Sequence, residues 1–242
     1  PAPYAAHLVF DGVEVCSASP ERFLTVRGRE VEAKPIKGTI SADQDPALLT
    51  TDPKTRAENL MIVDLLRNDL SRICEAHSVR VPVLCGLESY ASVHHLVSVV
   101  TGTLKADMDA LDLIAATFPG GSITGAPKLR AMDIITEIET DARELYCGAI
   151  GALGFDGSLD TSIAIRTVFM DRSRAVLQAG GGITLLSEPG PEYEETLTKA
   201  ARVFQAFEPD SCEPDSCEPD SCEPDPCEPG APASGAGAGR AP

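Results

Sequence analysis

The periodicity of apolar residues changes several times along the chain, and each change predicts a new element. Residues 5 to 34 alternate apolar and polar positions between turn-like dipeptides, which predicts two or three short antiparallel strands. Residues 38 to 53 are rich in Thr, Asp and Pro and predict a loop. From Asp52 onwards apolar residues recur at the helical period as far as Ile73, which predicts a first long helix capped by Asp52.

The rest of the body mixes strands and helices in no regular order. A helix is predicted over 107–117, a Gly-rich loop over 118–127, and two further helices over 128–139 and 191–207. Strands are predicted over 79–84, 92–104, 146–155, 160–170 and 174–179. Because no βαβ unit repeats, the predicted class is α+β rather than a parallel doubly wound sheet.

The last 35 residues differ in composition from everything before them. Residues 208–242 repeat Glu-Pro-Asp-Ser-Cys with a five-residue period and end in a Gly/Ala-rich stretch. Almost no large apolar residue is present to offset the entropy of ordering, so a disordered acidic tail is predicted after a folded body of residues 1–207. The cysteines of the repeat do not have the paired spacing of a zinc site, which argues against a metal site there.

The charge distribution restricts the possible partners. The formal net charge is −17, and the tail, with nine acids and one base, contributes nearly half of the excess. An acidic chain without a basic patch predicts no nucleic-acid partner and no attraction to anionic membrane. No stretch approaches the roughly 18 apolar residues of a membrane span. Any anionic ligand must therefore be bound by a local site.

The start of the chain and its cysteines bear on its cellular setting. The sequence begins with Pro1 and has no signal-peptide pattern, so we expect an upstream segment in the complete protein. The body cysteines Cys16, Cys74, Cys85 and Cys147 are isolated in apolar contexts, as reduced thiols usually are. The expected compartment is the cytoplasm, or a plastid if the source is a eukaryote.

Several acidic residues and a triple glycine are candidates for a binding site. The glycines at 180–182 lie between a strand and a helix, where bare backbone can approach an anion or simply form a turn. Glu192, Glu195 and Lys199 share one face of the last helix, either as a solvated stripe or as part of a site. Glu58 near the start of the first long helix either favours the helix dipole or joins those carboxylates around a cation such as Mg²⁺.

Four further residues are candidates for catalysis or binding, and a purely structural role is the alternative for most of them. Arg166 is predicted in an apolar strand, where its guanidinium either forms a structural ion pair or binds a carboxylate ligand. His95 follows another histidine in a strand and is by default a core residue. Lys37, between Pro-Ile and Gly, is held in a defined position, as a nucleophile or as an ordinary loop residue. Glu21 follows a Ser-Pro step and is a candidate acid.

Nine segments together resemble the chorismate-utilising enzymes, the family of the anthranilate synthases and the aminodeoxychorismate synthases. They are SPERFL (19–24), KPIKGT (34–39), RAENLMIVDLLRNDL (56–70), HHLVS (94–98), FPGGSITGAPKLRAMDII (118–135), YCGAIG (146–151), DTSIAIRT (160–167), AGGGI (179–183) and EYEETLTKA (192–200). The resemblance implies a four-layer α/β/β/α fold with two mainly antiparallel sheets. Residues 1–207 would be its C-terminal portion, without the N-terminal half.

The resemblance also implies a reaction. The segment PIKGT is similar to the corresponding segment of the aminodeoxychorismate synthases, whereas that of the anthranilate synthases resembles PIAGT. The Lys37 amine would attack carbon 2 of chorismate and expel the carbon-4 hydroxyl. Glu21 would protonate the departing hydroxyl, which requires a raised pKa of the Glu21 carboxyl. Ammonia from a glutamine amidotransferase partner would then add at carbon 4, giving 4-amino-4-deoxychorismate for folate synthesis. The alternatives are an anthranilate synthase and an incomplete, non-catalytic copy.

The remaining site residues are likewise implied by the resemblance. Glu58, Glu192 and Glu195 would bind a Mg²⁺ ion that holds the ring carboxylate of chorismate. The enolpyruvyl carboxylate would be bound by Arg166, Tyr146 and the backbone of Gly180, Gly181 and Gly182. Thr124 and His95 would line the ring pocket, and Lys199 would assist at the metal-bound carboxylate.

Overall fold

A computed structural model describes residues 2–207 of the chain. Backbone contacts divide the chain into the units Pro1–Ala206 and Phe207–Pro242, and every element below belongs to the first. The predicted disordered tail and its cysteine repeats lie outside the described residues. No helix within residues 2–207 is long and apolar enough to cross a membrane.

The first unit contains eleven strands and six helices. The strands are β1 (Tyr4–Phe10), β2 (Val13–Ser19), β3 (Arg22–Arg27), β4 (Glu30–Ala33), β5 (Ile36–Ser41), β6 (Arg80–Ser89), β7 (Val93–Thr103), β8 (Ala149–Leu153), β9 (Leu159–Ile163), β10 (Thr167–Asp171) and β11 (Ala175–Leu177). The helices are α1 (Ala47–Thr51), α2 (Pro53–Ile73), α3 (Ala110–Thr117), α4 (Gly121–Thr124), α5 (Lys128–Ile138) and α6 (Pro189–Gln205). The predicted α+β class is confirmed.

The strands form two antiparallel sheets. One has four strands in the order β1-β2-β10-β11. The other sheet has seven strands. Six follow the order β5-β7-β4-β3-β9-β8, and β6 lies outside this order and pairs with β7. This agrees with the two mainly antiparallel sheets that the family resemblance implies.

The main core lies between the larger sheet and helices α2 and α3. The apolar face of α2 buries Ile62, Val63, Leu66, Leu70 and Ile73, and these residues share one cluster with Leu24, Val26, Val31, Val100 and Leu113. The helix begins as predicted, because an Asp52 carboxylate oxygen accepts a hydrogen bond of 2.8 Å from the Thr55 amide. A 21-residue helix fixed in this way positions its first two turns over β5.

The structure corrects four predictions. The segment 5–34 contains four strands rather than two or three, and 38–53 contains most of β5 and all of α1 rather than a loop. The predicted strand 160–170 is two strands, β9 and β10, which belong to different sheets. Arg166 lies at the break between them with a φ of 52° and not inside a strand, since the chain must turn there to change sheets.

Candidate active site

Lys37 lies in β5 at an irregularity in its pairing with β7. Its ammonium donates to the Ser122 carbonyl at 3.1 Å and forms an ion pair with Glu58 Oε1 at 2.9 Å. The next residue, Gly38, has a φ of 83°, and a Cβ there would lie 2.4 Å from the Thr55 side chain. Only glycine therefore lets β5 lie this close to α2, which brings Lys37 within reach of Glu58.

Glu21 lies between β2 and β3, on the same small cavity as Lys34, Gly121 and Ser122. Its backbone is fixed, because the Glu21 carbonyl accepts from the Ile163 amide at 3.0 Å. Burial raises the pKa of the Glu21 carboxyl above its ordinary value, although the Lys37 ammonium and the Ser122 hydroxyl oppose that shift. A carboxyl with this environment is suited to keep a proton and to donate it.

The triple glycine faces the carboxylates and the tyrosine of the predicted site. A Cβ on Gly180 would lie 3.2 Å from the Tyr146 hydroxyl, and one on Gly181 would lie 3.0 Å from Glu192 Oε2. One on Gly182 would lie 2.9 Å from Glu58 Oε1. Bare backbone therefore lets these three side-chain ends approach the segment closely.

Each of the three predicted metal ligands is paired with a lysine. Besides the Glu58 pair, Glu192 Oε1 lies 3.2 Å from Lys54 Nζ, and Glu195 Oε1 lies 2.6 Å from Lys199 Nζ. The pKa of the Glu192 carboxyl is below its ordinary value, mainly because of the Ser187 hydroxyl and to a smaller extent because of Lys54. Lys199 also donates to the Gly180 carbonyl at 3.1 Å.

Two properties of these residues bear on Mg²⁺, namely their donor chemistry and the space between them. Within residues 2–207, no three Asp, Glu, His or Cys side chains converge closely enough to hold an ion. The donors are nevertheless carboxylate oxygens, which Mg²⁺ prefers. Glu58 and Glu192 also meet the backbone of successive glycines, so they share one cradle that a Cβ would fill. The residue types fit Mg²⁺, and in this structure a lysine ammonium neutralises each of the three carboxylates.

Arg166 and Tyr146 are both largely withdrawn from solvent. The pKa of the Arg166 guanidinium is lowered, mainly by burial and to a smaller extent by the nearby Arg202. No ion pair with Arg166 occurs in the described part of the chain. Of the two alternatives for Arg166, the structural ion pair is therefore absent from residues 2–207. Burial raises the pKa of the Tyr146 phenol.

Within residues 2–207, neither Thr124 nor His95 forms a hydrogen bond with Lys37, Glu21 or Glu58. The Thr124 hydroxyl donates to the Gly120 carbonyl at 3.0 Å. Thr124 and Tyr146 line a cavity of about 400 Å³ between α5 and residues 139–148, to which Lys37 and Glu58 do not contribute. His95 shares a hydrogen bond of 2.8 Å with Thr39 on β5, and burial lowers the pKa of its imidazole.

Sequence reasoning missed two residues of this site, Ser122 and Lys54. Ser122 lies in the Gly-rich loop and meets Lys37 through its carbonyl, which no side-chain pattern reveals. Lys54 precedes Glu58 by four residues, so the helical period placed the two on one face of α2. That spacing was an available signal, but it does not show that Lys54 pairs across to α6.

The sequence comparisons identify the class of protein. A model of the chorismate binding enzyme family matches residues 1–205, and the chain belongs to that family. The chain is 50% identical to "Aminodeoxychorismate synthase component 1" of Klebsiella aerogenes, over 86% of this chain and 48% of that protein. It is 44% identical to "Anthranilate synthase component 1" of Geobacillus stearothermophilus, over 86% of this chain and 42% of that protein.

A solved structure agrees with the family assignment. Anthranilate synthase component I from Streptococcus pneumoniae matches with a TM-score of 0.75 and 43% identity, over 83% of this chain and 46% of that one. The chain thus spans about half the length, or less, of the relatives named here.

Proposed function

We propose that this chain carries the chorismate-aminating active site of an aminodeoxychorismate synthase component I. The observation that carries the proposal is the position of Lys37. Its ammonium contacts Glu58 and the Ser122 carbonyl, and it lies near the Glu21 carboxyl, whose pKa is raised. Relatives with that printed name in Klebsiella aerogenes and Escherichia coli are 50% and 46% identical to the chain. In this proposal residues 1–207 are the catalytic domain and 208–242 a separate tail.

The first half of the reaction forms a covalent adduct. The neutral Lys37 amine forms a bond to carbon 2 of chorismate, the two conjugated ring double bonds each shift by one position, and the carbon-4 C–O bond breaks. Glu21 gives its proton to the departing hydroxyl, which leaves as water. Because Lys37 is paired with Glu58 in the structure, its ammonium must lose a proton and that ion pair must open before attack.

The second half releases the lysine. Ammonia forms a bond to carbon 4, both ring double bonds shift back, and the bond from carbon 2 to the Lys37 nitrogen breaks. The product is 4-amino-4-deoxychorismate, and the free lysine is restored. The ammonia would come from a glutamine amidotransferase, a partner that the designation "component 1" of the relatives favours.

Substrate binding is assigned to the remaining site residues. Mg²⁺, when bound by Glu58, Glu192 and Glu195, would neutralise the ring carboxylate of chorismate and help orient the ring. Arg166 and Tyr146 would bind the enolpyruvyl carboxylate with the backbone of Gly180, Gly181 and Gly182. Lys199, already beside Gly180, would assist at the ring carboxylate, and Thr124 and His95 would line the ring pocket.

We assign the activity to the cytoplasm, or to a plastid in a plant. Relatives from rice and Arabidopsis thaliana at 48% identity have "chloroplastic" in their names, which supports the second setting. In either setting the product would enter folate synthesis.

The test is an amination assay with chorismate, Mg²⁺ and ammonium on the folded chain. We expect 4-amino-4-deoxychorismate, identified by mass and chromatographic separation from anthranilate, and a lysine adduct on the intact protein when ammonium is omitted. Lys37→Ala should abolish both signals, while Lys105→Ala, which removes a lysine that donates to the Arg72 carbonyl at the C-terminal end of α2, should keep both.

Anthranilate as the product would favour the anthranilate synthase alternative, in line with the 44% identical relatives of that name. Absence of any product from a chain with a native circular dichroism spectrum would favour the non-catalytic alternative. Full amination by Lys37→Ala would refute the covalent route.

A further inference from the structure

Lys54 is the one lysine of the site that the chemistry above does not use. It is the second residue of α2, where a positive charge is unfavourable because the helix dipole already presents partial positive charge. Its ammonium extends to α6 and lies 3.2 Å from Glu192 Oε1. It has no other ion-pair or hydrogen-bond partner in residues 2–207. The position of Lys54 is thus explained by Glu192 and not by its own helix.

The Glu192 carboxylate forms its ion pair with Lys54 at a position with little access to solvent. Its side chain is only 10% exposed, whereas that of Lys54 is 42% exposed. A carboxylate removed from water to this degree is unfavourable unless a positive charge or several donors compensate it. Lys54 supplies that charge from the more solvated side of the pair, so it is the partner that can leave at less cost.

The other two carboxylates are compensated in the same manner, but their lysines differ from Lys54. If the Lys37–Glu58 ion pair opens, Lys37 keeps the Ser122 carbonyl as an acceptor. If the Lys199–Glu195 ion pair opens, Lys199 keeps the Gly180 carbonyl. Lys54 keeps no partner in the described residues when Glu192 is withdrawn. Release of Lys54 therefore sends its ammonium to solvent.

We propose that Lys54 is an internal counter-ion that competes directly with a divalent cation for Glu192, so that cation binding requires the Lys54–Glu192 ion pair to open. This inference rests on the metal assignment in the proposed function. Lys37 and Lys199 act similarly on Glu58 and Glu195, and the three exchanges together turn lysine-neutralised carboxylates into ligands. Lys54 is a positioning residue, since it acts on the ligand and touches no reacting atom.

The effect of removing Lys54 follows from the strength of such pairs. A partly exposed ion pair contributes up to about 1 kcal/mol, and a factor of ten in affinity corresponds to about 1.4 kcal/mol. Lys54→Gln should therefore tighten cation binding by roughly threefold to fivefold. The amide keeps similar length and polarity but cannot neutralise Glu192.

The experiment measures binding of Mn²⁺, which carboxylate sites of this kind also accept, by isothermal titration calorimetry and by the loss of the free-ion electron paramagnetic resonance signal. The chain is compared with Lys54→Gln and with Lys34→Gln. The control removes the same charge from a lysine that pairs with Glu88 at 2.8 Å instead of a candidate ligand. We expect tighter binding for Lys54→Gln and less than a twofold change for Lys34→Gln.

A double-mutant comparison separates direct competition from a general charge effect. In a Glu192→Gln background, Lys54→Gln should no longer tighten Mn²⁺ binding, because the shared ligand is gone. Equal tightening by Lys54→Gln and Lys34→Gln, or no tightening by Lys54→Gln, would overturn the competition while leaving the metal assignment intact. If no variant binds Mn²⁺ saturably, the metal assignment fails and the competition fails with it, whereas the amination assay separately tests the reaction.

Discussion

Among single residues, Lys37 and Glu21 have complementary requirements. The lysine must lose a proton to become a nucleophile, and the glutamic acid must keep one to protonate the leaving hydroxyl. The structure favours the second condition, because burial raises the pKa of Glu21 more than Lys37 and Ser122 lower it. The first condition depends on Glu58, which holds the Lys37 ammonium at 2.9 Å until that carboxylate finds another cation.

The raised pKa of Glu21 predicts a pH-dependent effect on stability. A carboxyl with a higher pKa in the folded chain binds more protons there, so stability falls as pH rises through the folded pKa. Below the ordinary value of 4.5, Glu21 is protonated in both states and contributes no difference. We therefore expect Glu21→Gln to raise the free energy of unfolding at pH 8 by on the order of 1 kcal/mol, and to have less effect towards pH 5.

Urea denaturation at both pH values measures this difference, with Glu194→Gln as the matched control on the exposed side of α6. The control should change the free energy of unfolding by less than about 0.5 kcal/mol at either pH. Glu21→Gln should also lose amination, since an amide cannot donate the proton. A stability loss for Glu21→Gln that is the same at pH 5 and pH 8 would contradict the assignment.

At the scale of elements, the segment from α3 to α5 depends on one buried charge. The Asp69 carboxylate on α2 accepts from Lys128 at 2.6 Å and from Arg72 at 2.9 Å, and its side chain is only 4% exposed. Lys128 also donates to the Thr117 carbonyl at 2.8 Å. These bonds fix both ends of the loop whose Ser122 carbonyl meets Lys37.

We expect Asp69→Asn to destabilise the chain by about 3 kcal/mol, because it leaves the Lys128 ammonium buried without its counter-charge. The matched control is Asp64→Asn on the same helix, whose pair with Arg67 is exposed and contributes about 1 kcal/mol or less. Urea denaturation measures both changes. Equal effects of the two substitutions would show that the buried pair has no special role in holding the loop.

The elements that could be predicted from the sequence are those whose own period decides their structure. Helix α2 has a long apolar stripe and an Asp52 cap, and it was predicted to within a residue or two. Strand β5 was missed because its Thr- and Gly-containing sequence becomes a strand only by pairing with β7. The break at Arg166 was missed because a positive φ at a non-glycine residue leaves no signal in the periodicity.

The same distinction applies to the site. The family motifs identified Lys37, Glu58 and Glu192, but spacing alone left open whether these residues meet. The glycines at 180–182 answer part of that question, since Glu58 and Glu192 lie against successive glycines, whereas no three acidic side chains converge within residues 2–207. Lys54 could not be assigned from sequence, because its partner lies 138 residues away on another helix.

At the scale of the whole molecule, an acidic chain is proposed to bind an anionic substrate. The formal net charge of −17 repels a dicarboxylate at long range, so affinity must come from short-range groups. Arg166 has no ion-pair partner in residues 2–207, and the site lysines are all held by carboxylates or carbonyls. Because Lys37 and Lys199 keep their carbonyl acceptors, exchange of Lys54 for a divalent cation would add one positive charge beside Glu192, where the substrate carboxylate is proposed to bind.

The described part of the chain also presents an apolar sheet edge. Strand β1 is an edge of the four-stranded sheet, and its Val9 and Phe10 are 64% and 61% exposed. An edge strand with exposed large apolar side chains has free backbone donors and acceptors and tends to pair with another strand. We therefore expect this chain, studied alone, to self-associate through β1 as its concentration rises.

Sedimentation velocity over a range from about 1 to 100 μM tests this expectation. Val9→Lys should shift the distribution towards monomer, because a charged side chain on an edge strand opposes strand pairing. Leu129→Lys is the matched control, since Leu129 is 78% exposed on α5 rather than on a sheet edge, and it should leave the distribution unchanged. A chain that stays monomeric at the highest concentration, or that responds equally to both substitutions, would show that β1 is not the adhesive edge.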